Sequence, residues 1–241
     1  MKIGNSMPAI FAHRGASQDA PENTLKAFQL ALQQGADGIE LDVHLTSDGQ
    51  VVVIHDGELD RTTNGTGQVN KTTLDALRHL DAGEGERIPT LTEVFDLIGD
   101  KLTINIELKG FAGDTRRLPE AVVGLVNDFA LQDSIIYSSF DPRMLIHLHR
   151  IDPGAKAGML LLPGAMAVRA VFSQFVHPWS LHPYFESVTQ SFMHRAKRAG
   201  YKVIAWTVDK KEDIQNMIEM GVAGIITDVP ARALEVREAL R

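Results

Sequence analysis

The chain contains no cysteine, which excludes a disulfide framework, a thiolate zinc site and a cysteine nucleophile together. A metal held here is bound through oxygen or imidazole. Blocks of lysine and arginine are also missing, and 24 basic residues stand against 31 acidic ones for a net charge of −7. Nucleic acid is therefore not expected as a partner, although a small anion is admissible wherever a local cation meets it. No apolar run reaches the ~20 residues of a membrane span. The most apolar stretch, Ala157 to Val176, is broken by Gly158, Pro163, Gly164, Arg169, Ser173 and Gln174. The opening MKIGNSMPAI lacks the apolar centre of a secretory signal. Stable membrane insertion and export by that route are not expected, and the reading is a cytoplasmic protein. G-x-S-x-G, P-loop and G-x-G-x-x-G motifs are absent as well, which removes support for serine hydrolase, P-loop and dinucleotide-binding chemistry.

What remains is a chain of 241 residues with 44% hydrophobic and 23% charged residues, long enough to bury one large core. Short β-branched runs alternate with helical periodicity, the pattern of βα units around a parallel sheet. Strands are expected near Ala9–Ala12, Gly38–Asp42, Thr103–Glu107, Ile135–Ser138, Ala155–Leu160, Val176–Leu181, Lys202–Trp206 and Gly224–Thr227. Helices are expected near Asn23–Gln34, Leu91–Ile98, Pro119–Phe129, Pro142–Ile151, Ala165–Phe172, Val188–Ala199, Lys211–Met220 and Ala231–Ala239, with Gly35, Gly99, Gly200 and Gly221 just past four of them. Eight such units in about 250 residues describe an α/β (β/α)₈ TIM barrel, read as one domain over 1–241. One connection departs from the usual 2–6 residues: Val43 to Pro89 carries an extra strand, VVVIHD, and a turn-rich piece, LDRTTNGTGQV. We read a small insertion after strand two, at about 56–88, as a cap over the barrel face where such folds bind their substrates.

The ionisable residues fall on that same face. His13 and Arg14 follow strand one, Glu40 and Asp42 end strand two, and Glu107 and Lys109 end strand three. Residues two apart on a strand share a side, so three carboxylates converge and would repel one another unless a cation neutralised them. Oxygen ligands favour a hard divalent metal, Mg²⁺ or Ca²⁺. With that dication, Arg14 and Lys109 leave a single positive charge, which one phosphodiester would match. His13 and His55 are then candidates for general acid and base, since imidazole titrates near neutrality. His147 and His149 lie two apart on an expected helix and diverge, so they do not make a zinc pair.

The segments AHRGASQDAPENTLKAF, GADGIELDVHLTSDGQVVVIHD, LDRTTNGTG, IPTLTEV, NIELKG, VIAWTVD and GVAGIITDVP together resemble the glycerophosphodiester phosphodiesterase family from end to end. The resemblance implies hydrolysis of glycerophosphodiesters to sn-glycerol 3-phosphate and an alcohol, with a cyclic phosphate on the way. By motif it implies Glu40, Asp42 and Glu107 as metal ligands and His13 with His55 as the acid–base pair. Arg14 and Lys109 become phosphate contacts, and Trp206 an aromatic surface for the glycerol or head group. It is poor over Leu162–Leu181, so nothing is carried over there, and His182 stays a secondary candidate. Two alternatives accompany this reading. One is a related phospholipase for lyso-lipid or sphingolipid head groups, its acyl site drawn from Phe111, Met159 to Leu162, Phe172 and Phe175. The other is a glycerophosphodiester-binding protein without turnover. The outer helix faces are compatible with a homodimer.

Overall fold

A computed structural model of the chain describes residues 7–109, 116–163 and 177–241. Its strands alternate between two apolar environments, and this alternation builds the architecture. On β1 (Ala9–His13), Ile10 and Ala12 face the helices while Ala9 and Phe11 point into the barrel. On β2 (Gly38–Leu45), Ile39, Leu41, Val43 and Leu45 join the outer core. The opposite face of that strand carries Gly38, Glu40, Asp42 and His44. Gly38 leaves room for Phe11, because a Cβ there would stand 2.5 Å from the phenyl ring. Phe11, Ile136, Ile204 and Ile226 fill the barrel interior as an apolar layer, so the polar residues of the next layer lie nearer the carboxyl-terminal ends of the strands.

The remaining barrel strands are β4 (Thr103–Leu108), β5 (Ile135–Ser139), β6 (Ala157–Leu161), β7 (Ser180–Pro183), β8 (Lys202–Ala205) and β9 (Gly224–Thr227). All pair in parallel, and the ring closes through β9 on β1 (Ile10 opposite Ile225) and β1 on β2 (Ala12 opposite Ile39). This is the expected (β/α)₈ barrel. Helices α1 (Leu25–Gln33), α3 (Leu91–Ile98), α4 (Arg117–Asp128), α5 (Pro142–Ile151), α6 (Gln190–Arg198), α7 (Lys211–Met220) and α8 (Pro230–Ala239) surround it. The helix expected at Ala165–Phe172 lies outside the described residues.

Several ends differ from expectation for local reasons. α1 starts at Leu25, not Asn23, because Thr24 caps it by accepting from the Ala27 amide, which frees Asn23 for another task. α6 likewise begins after its Thr189 cap. β7 starts at Ser180 and runs through His182 to Pro183. Pro178, having no N–H, cannot donate to a strand ladder, and residues 177–179 lie outside the strand. The four glycines past the helices all take positive φ.

Between β2 and α3, β3 (Val51–Val53) turns back antiparallel on β2. It is followed by a 3₁₀ turn at Val69–Lys71 and the short α2 (Leu74–Leu77). Val52, Ile54, Leu59, Val69, Leu77 and Ile88 form a small apolar cluster of their own.

At the opposite end of the barrel, Arg237 on α8 is 8% exposed. It pairs with Asp37 just before β2 and donates to the Pro8 carbonyl at 3.1 Å. Arg237→Met should lower the unfolding free energy by about 3–5 kcal/mol, because it leaves a largely buried carboxylate unpaired. Urea denaturation checks this, and activity at temperatures where the variant is folded should be close to that of the parent.

Candidate active site at the mouth of the barrel

A cavity of about 90 Å³ opens at the carboxyl-terminal ends of the strands. One wall carries His13, Arg14, Glu40, His55, Glu107 and Lys109, and the other carries Phe140, Leu160, Trp206 and Ile226. Of the residues read from the sequence as metal-holding, acid–base or substrate contacts, all line this cavity except Asp42, which is buried. Ligand oxygens of Glu40, Asp42 and Glu107 all lie within 4.8 Å of one another. They sit on two neighbouring strands in register, Asp42 opposite Glu107.

This trio is electrostatically frustrated without a cation. Burial, then the charge of Asp42, pushes Glu40 up to about 8. Burial also raises Glu107 to about 7, against the pull of Lys109. Burial acts the same way on Asp42, but Lys109, Arg14 and His55 outweigh it and hold that carboxyl down at about 2. The Lys109 ammonium stands 2.8 Å from Glu107 Oε1 and 3.3 Å from Asp42 Oδ1, a positive charge beside the acids. Asp42 Oδ1 is buried and accepts no hydrogen bond among the described residues. Buried carboxylates that raise one another's pKa, with one oxygen that among the described residues accepts no hydrogen bond and meets only the Lys109 ammonium at 3.3 Å, fit the donor set of a hard dication.

The two histidines are held by different partners. His13 Nδ1–H donates to Asp228 Oδ1 at 2.6 Å, and its Nε2 lies 3.9 Å from Glu40 Oε2. Burial opposes a proton on this ring, but Asp228 and Glu40 prevail and its pKa is raised. His55 Nδ1–H donates to Asp56 Oδ1 at 2.5 Å, while its Nε2 accepts from Lys109 Nζ at 3.0 Å. Burial lowers its pKa, and the cations Lys109 and Arg14 add to that. The partners thus define one ring with its Nε2 beside a carboxylate and one whose Nε2 lone pair meets the Lys109 ammonium.

Arg14 takes a left-handed backbone, φ 54°, which aims its amide at Glu40 Oε2 at 3.2 Å. Its guanidinium reaches Glu22 at 2.8 Å and lies 3.4 Å from Asp42 Oδ2. On the far wall Trp206 donates from Nε1 to the His182 carbonyl at 2.8 Å. Its ring meets Phe140 and Tyr184 edge-on, with centroids 5.6 Å away in each case.

Sequence reasoning missed several residues here. Asn23 donates to Asp42 Oδ2 at 2.9 Å. Asn105 lines the cavity with its Oδ1 buried and unbonded among the described residues. The two-residue strand rule that paired Glu107 with Lys109 also places Asn105 on that face. Asp228, which orients His13, follows the last strand and could have been found in the same way.

His182 does not line the cavity. It is fully buried, with Ser180 Oγ 2.8 Å from Nε2, and burial drives its pKa down to about 3. Between pH 6.5 and about 3 the unfolded chain binds a proton that the folded one refuses, so stability falls as pH drops through that window. His182→Gln should narrow the difference between urea midpoints measured at pH 7 and pH 5.

Residues 13–232 match the glycerophosphoryl diester phosphodiesterase family. The chain belongs to this family. Within it the chain is 43% identical to a glycerophosphodiester phosphodiesterase of Caldanaerobacter subterraneus, an alignment covering 92% of this chain and 94% of that protein. It is 36% identical to a glycerophosphodiester phosphodiesterase of Bacillus altitudinis over 98% of this chain and all of that one. Among solved structures it is similar to an Oleispira antarctica phosphodiesterase in complex with its product sn-glycerol-3-phosphate. The TM-score is 0.89 and the identity 32%, with 96% of this chain and 97% of that one covered. The family match thus runs from the end of β1 to the start of α8 and includes the segment between β2 and α3.

Proposed function

We propose that the protein hydrolyses glycerophosphodiesters, such as glycerophosphocholine or glycerophosphoethanolamine, to sn-glycerol 3-phosphate and an alcohol. One observation carries the reading: an acidic trio within 4.8 Å presents two of its members, Glu40 and Glu107, to a cavity that two differently tuned imidazoles and two cations also line. The product-bound Oleispira relative supports the substrate class.

Glu40, Asp42 and Glu107 would hold Mg²⁺ or Ca²⁺, which when bound supplies Lewis-acid polarisation of phosphoryl oxygen. Arg14 and Lys109 neutralise the non-bridging oxygens and fix the phosphorus between the two rings. His55 Nε2 accepts the proton of the attacking hydroxyl, the glycerol C2–OH, as its oxygen bonds to phosphorus. His13 Nε2 delivers a proton to the alkoxide that leaves. In the second step the roles reverse: His13 takes a proton from water, which opens the cyclic phosphate, and His55 returns its proton to the C2 oxygen. Attack from within the substrate gains from proximity. The aromatic wall of Trp206 and Phe140 takes the apolar flank of the substrate. The segment at about 56–88, which begins at Asp56 next to His55, serves as the cap.

The phospholipase alternative finds less support. Leu160 lines the cavity, but Met159 and Leu161 are packed in the outer core, Leu162 is exposed, and Phe111, Phe172 and Phe175 lie outside the described residues. Release of sn-glycerol 3-phosphate from glycerophosphocholine, compared with turnover of lysophosphatidylcholine, tests the choice. Rapid release from the first supports the proposal. Preference for the second overturns it, and binding heat without product favours the non-catalytic alternative.

A further inference from the structure

Arg61 lies outside the cavity, in the turn-rich piece LDRTTNGTG. Its guanidinium nevertheless grips two carboxylates from separate parts of the chain, each through two oxygens. Nη1 and Nη2 donate to Glu22 Oε2 and Oε1, both at 2.8 Å. Nε and Nη2 donate to Asp56 Oδ2 and Oδ1 at 2.6 and 3.2 Å. Each of those acids also holds a site residue: Asp56 Oδ1 accepts from His55 Nδ1 at 2.5 Å, and Glu22 Oε1 accepts from Arg14 Nη1 at 2.8 Å. Charges of alternating sign therefore run from the His55 ring through Asp56, Arg61 and Glu22 to Arg14, whose Nε lies 3.4 Å from Asp42.

Only a planar fork can take two carboxylates at once in this way, and a lysine ammonium cannot. Arg61 is 46% exposed at its side chain and Glu22 23%. Ion pairs at that exposure add little to stability, so the network's effect should fall on geometry. Without the guanidinium, Asp56 and Glu22 lose their shared cation, and the hydrogen bonds that orient His55 and Arg14 lose their anchor.

We infer that Arg61 is a positioning residue which sets His55 and Arg14 in register with one another, and so couples the segment between β2 and α3 to the barrel's chemistry. The inference rests on the hydrolase reading above.

The test compares the parent with Arg61→Met, Arg61→Lys, Glu22→Gln and the Arg61→Met/Glu22→Gln double variant, with glycerophosphocholine as substrate. Arg61→Met is expected to lower kcat/KM by about 10–100-fold with little change in unfolding midpoint. The double variant should lose less than the product of the single losses, since both changes break one network. Arg61→Lys should recover only part of the activity, and it decides the matter should the Met variant fail to fold. A readout independent of turnover is the ¹⁵N shifts of the His55 ring in histidine-labelled protein. The parent should show one Nδ1–H tautomer, and Arg61→Met a mixture. Activity within twofold of the parent, losses that multiply independently, or an unchanged ring would each overturn the positioning role. A parent that releases no product would refute the hydrolase reading instead, and the ring spectrum would still judge Arg61.

Discussion

Replacing either His13 or His55 by alanine is expected to lower kcat by about 10²–10⁴, the range that proton transfer contributes in such sites. Neither ring is part of the apolar core, so the barrel should remain folded. The two losses should differ in kind. His13 is held by Asp228 and lies beside Glu40, the setting of a proton donor. His55 presents its Nε2 lone pair toward Lys109, the setting of an acceptor. A substrate with a good leaving group, such as a nitrophenyl phosphodiester, needs little protonation of its departing oxygen. It should therefore recover much of the activity lost in His13→Ala and little of that lost in His55→Ala. Steady-state kinetics on both substrates measures this, and full activity in either variant would end the acid–base assignment.

The second large effect concerns the acids. On the proposed metal site, Glu40→Gln or Glu107→Gln would remove one of three carboxylate ligands, and activity should fall by at least about 10² because Lewis-acid stabilisation is lost. The parent should also be stabilised when Mg²⁺ or Ca²⁺ is added, by about 2.7 kcal/mol at a hundredfold excess over Kd. The same variants should not respond. Chelation should silence the parent reversibly. A parent whose thermal midpoint is indifferent to both ions would contradict the metal assignment, whatever the kinetics show.

The barrel was legible because its cause is periodic. Ile39, Leu41 and Val43 alternate with Glu40 and Asp42, and that single alternation announces both an outer core and a polar interior face. The gathering of Glu40, Asp42 and Glu107 followed from the same rule, since two residues apart on a strand means one side. Helix ends were less legible because capping competes with periodicity. Asn23 sits in a helix-like run, yet Thr24 starts the helix and Asn23 turns back at φ 58° to reach Asp42.

The charge count read from the sequence does not survive as a count. Asp228, Glu22 and Asp56 add three carboxylates around the site and Arg61 adds one cation. Asp56 adjoins His55 in the chain and Asp228 follows the last strand, but two of the pairings join distant segments: Asp228 lies 215 residues from His13, and Glu22 lies 39 from Arg61. Arg14 and Lys109 both line the cavity while pairing with Glu22, Asp42 and Glu107, so on the proposed reading attraction for a phosphodiester depends on the direction from which these two cations meet it. A tally of formal charge cannot express that direction.

The most direct measurement is a crystal structure of the protein grown with Ca²⁺. The account predicts an ion at the barrel mouth bonded by oxygens of Glu40, Asp42 and Glu107 at about 2.0–2.6 Å, with both imidazole Nε2 atoms facing one side of it. An ion bound elsewhere, or those three carboxylates still engaged only by Lys109 and Arg14 at saturating Ca²⁺, would contradict it.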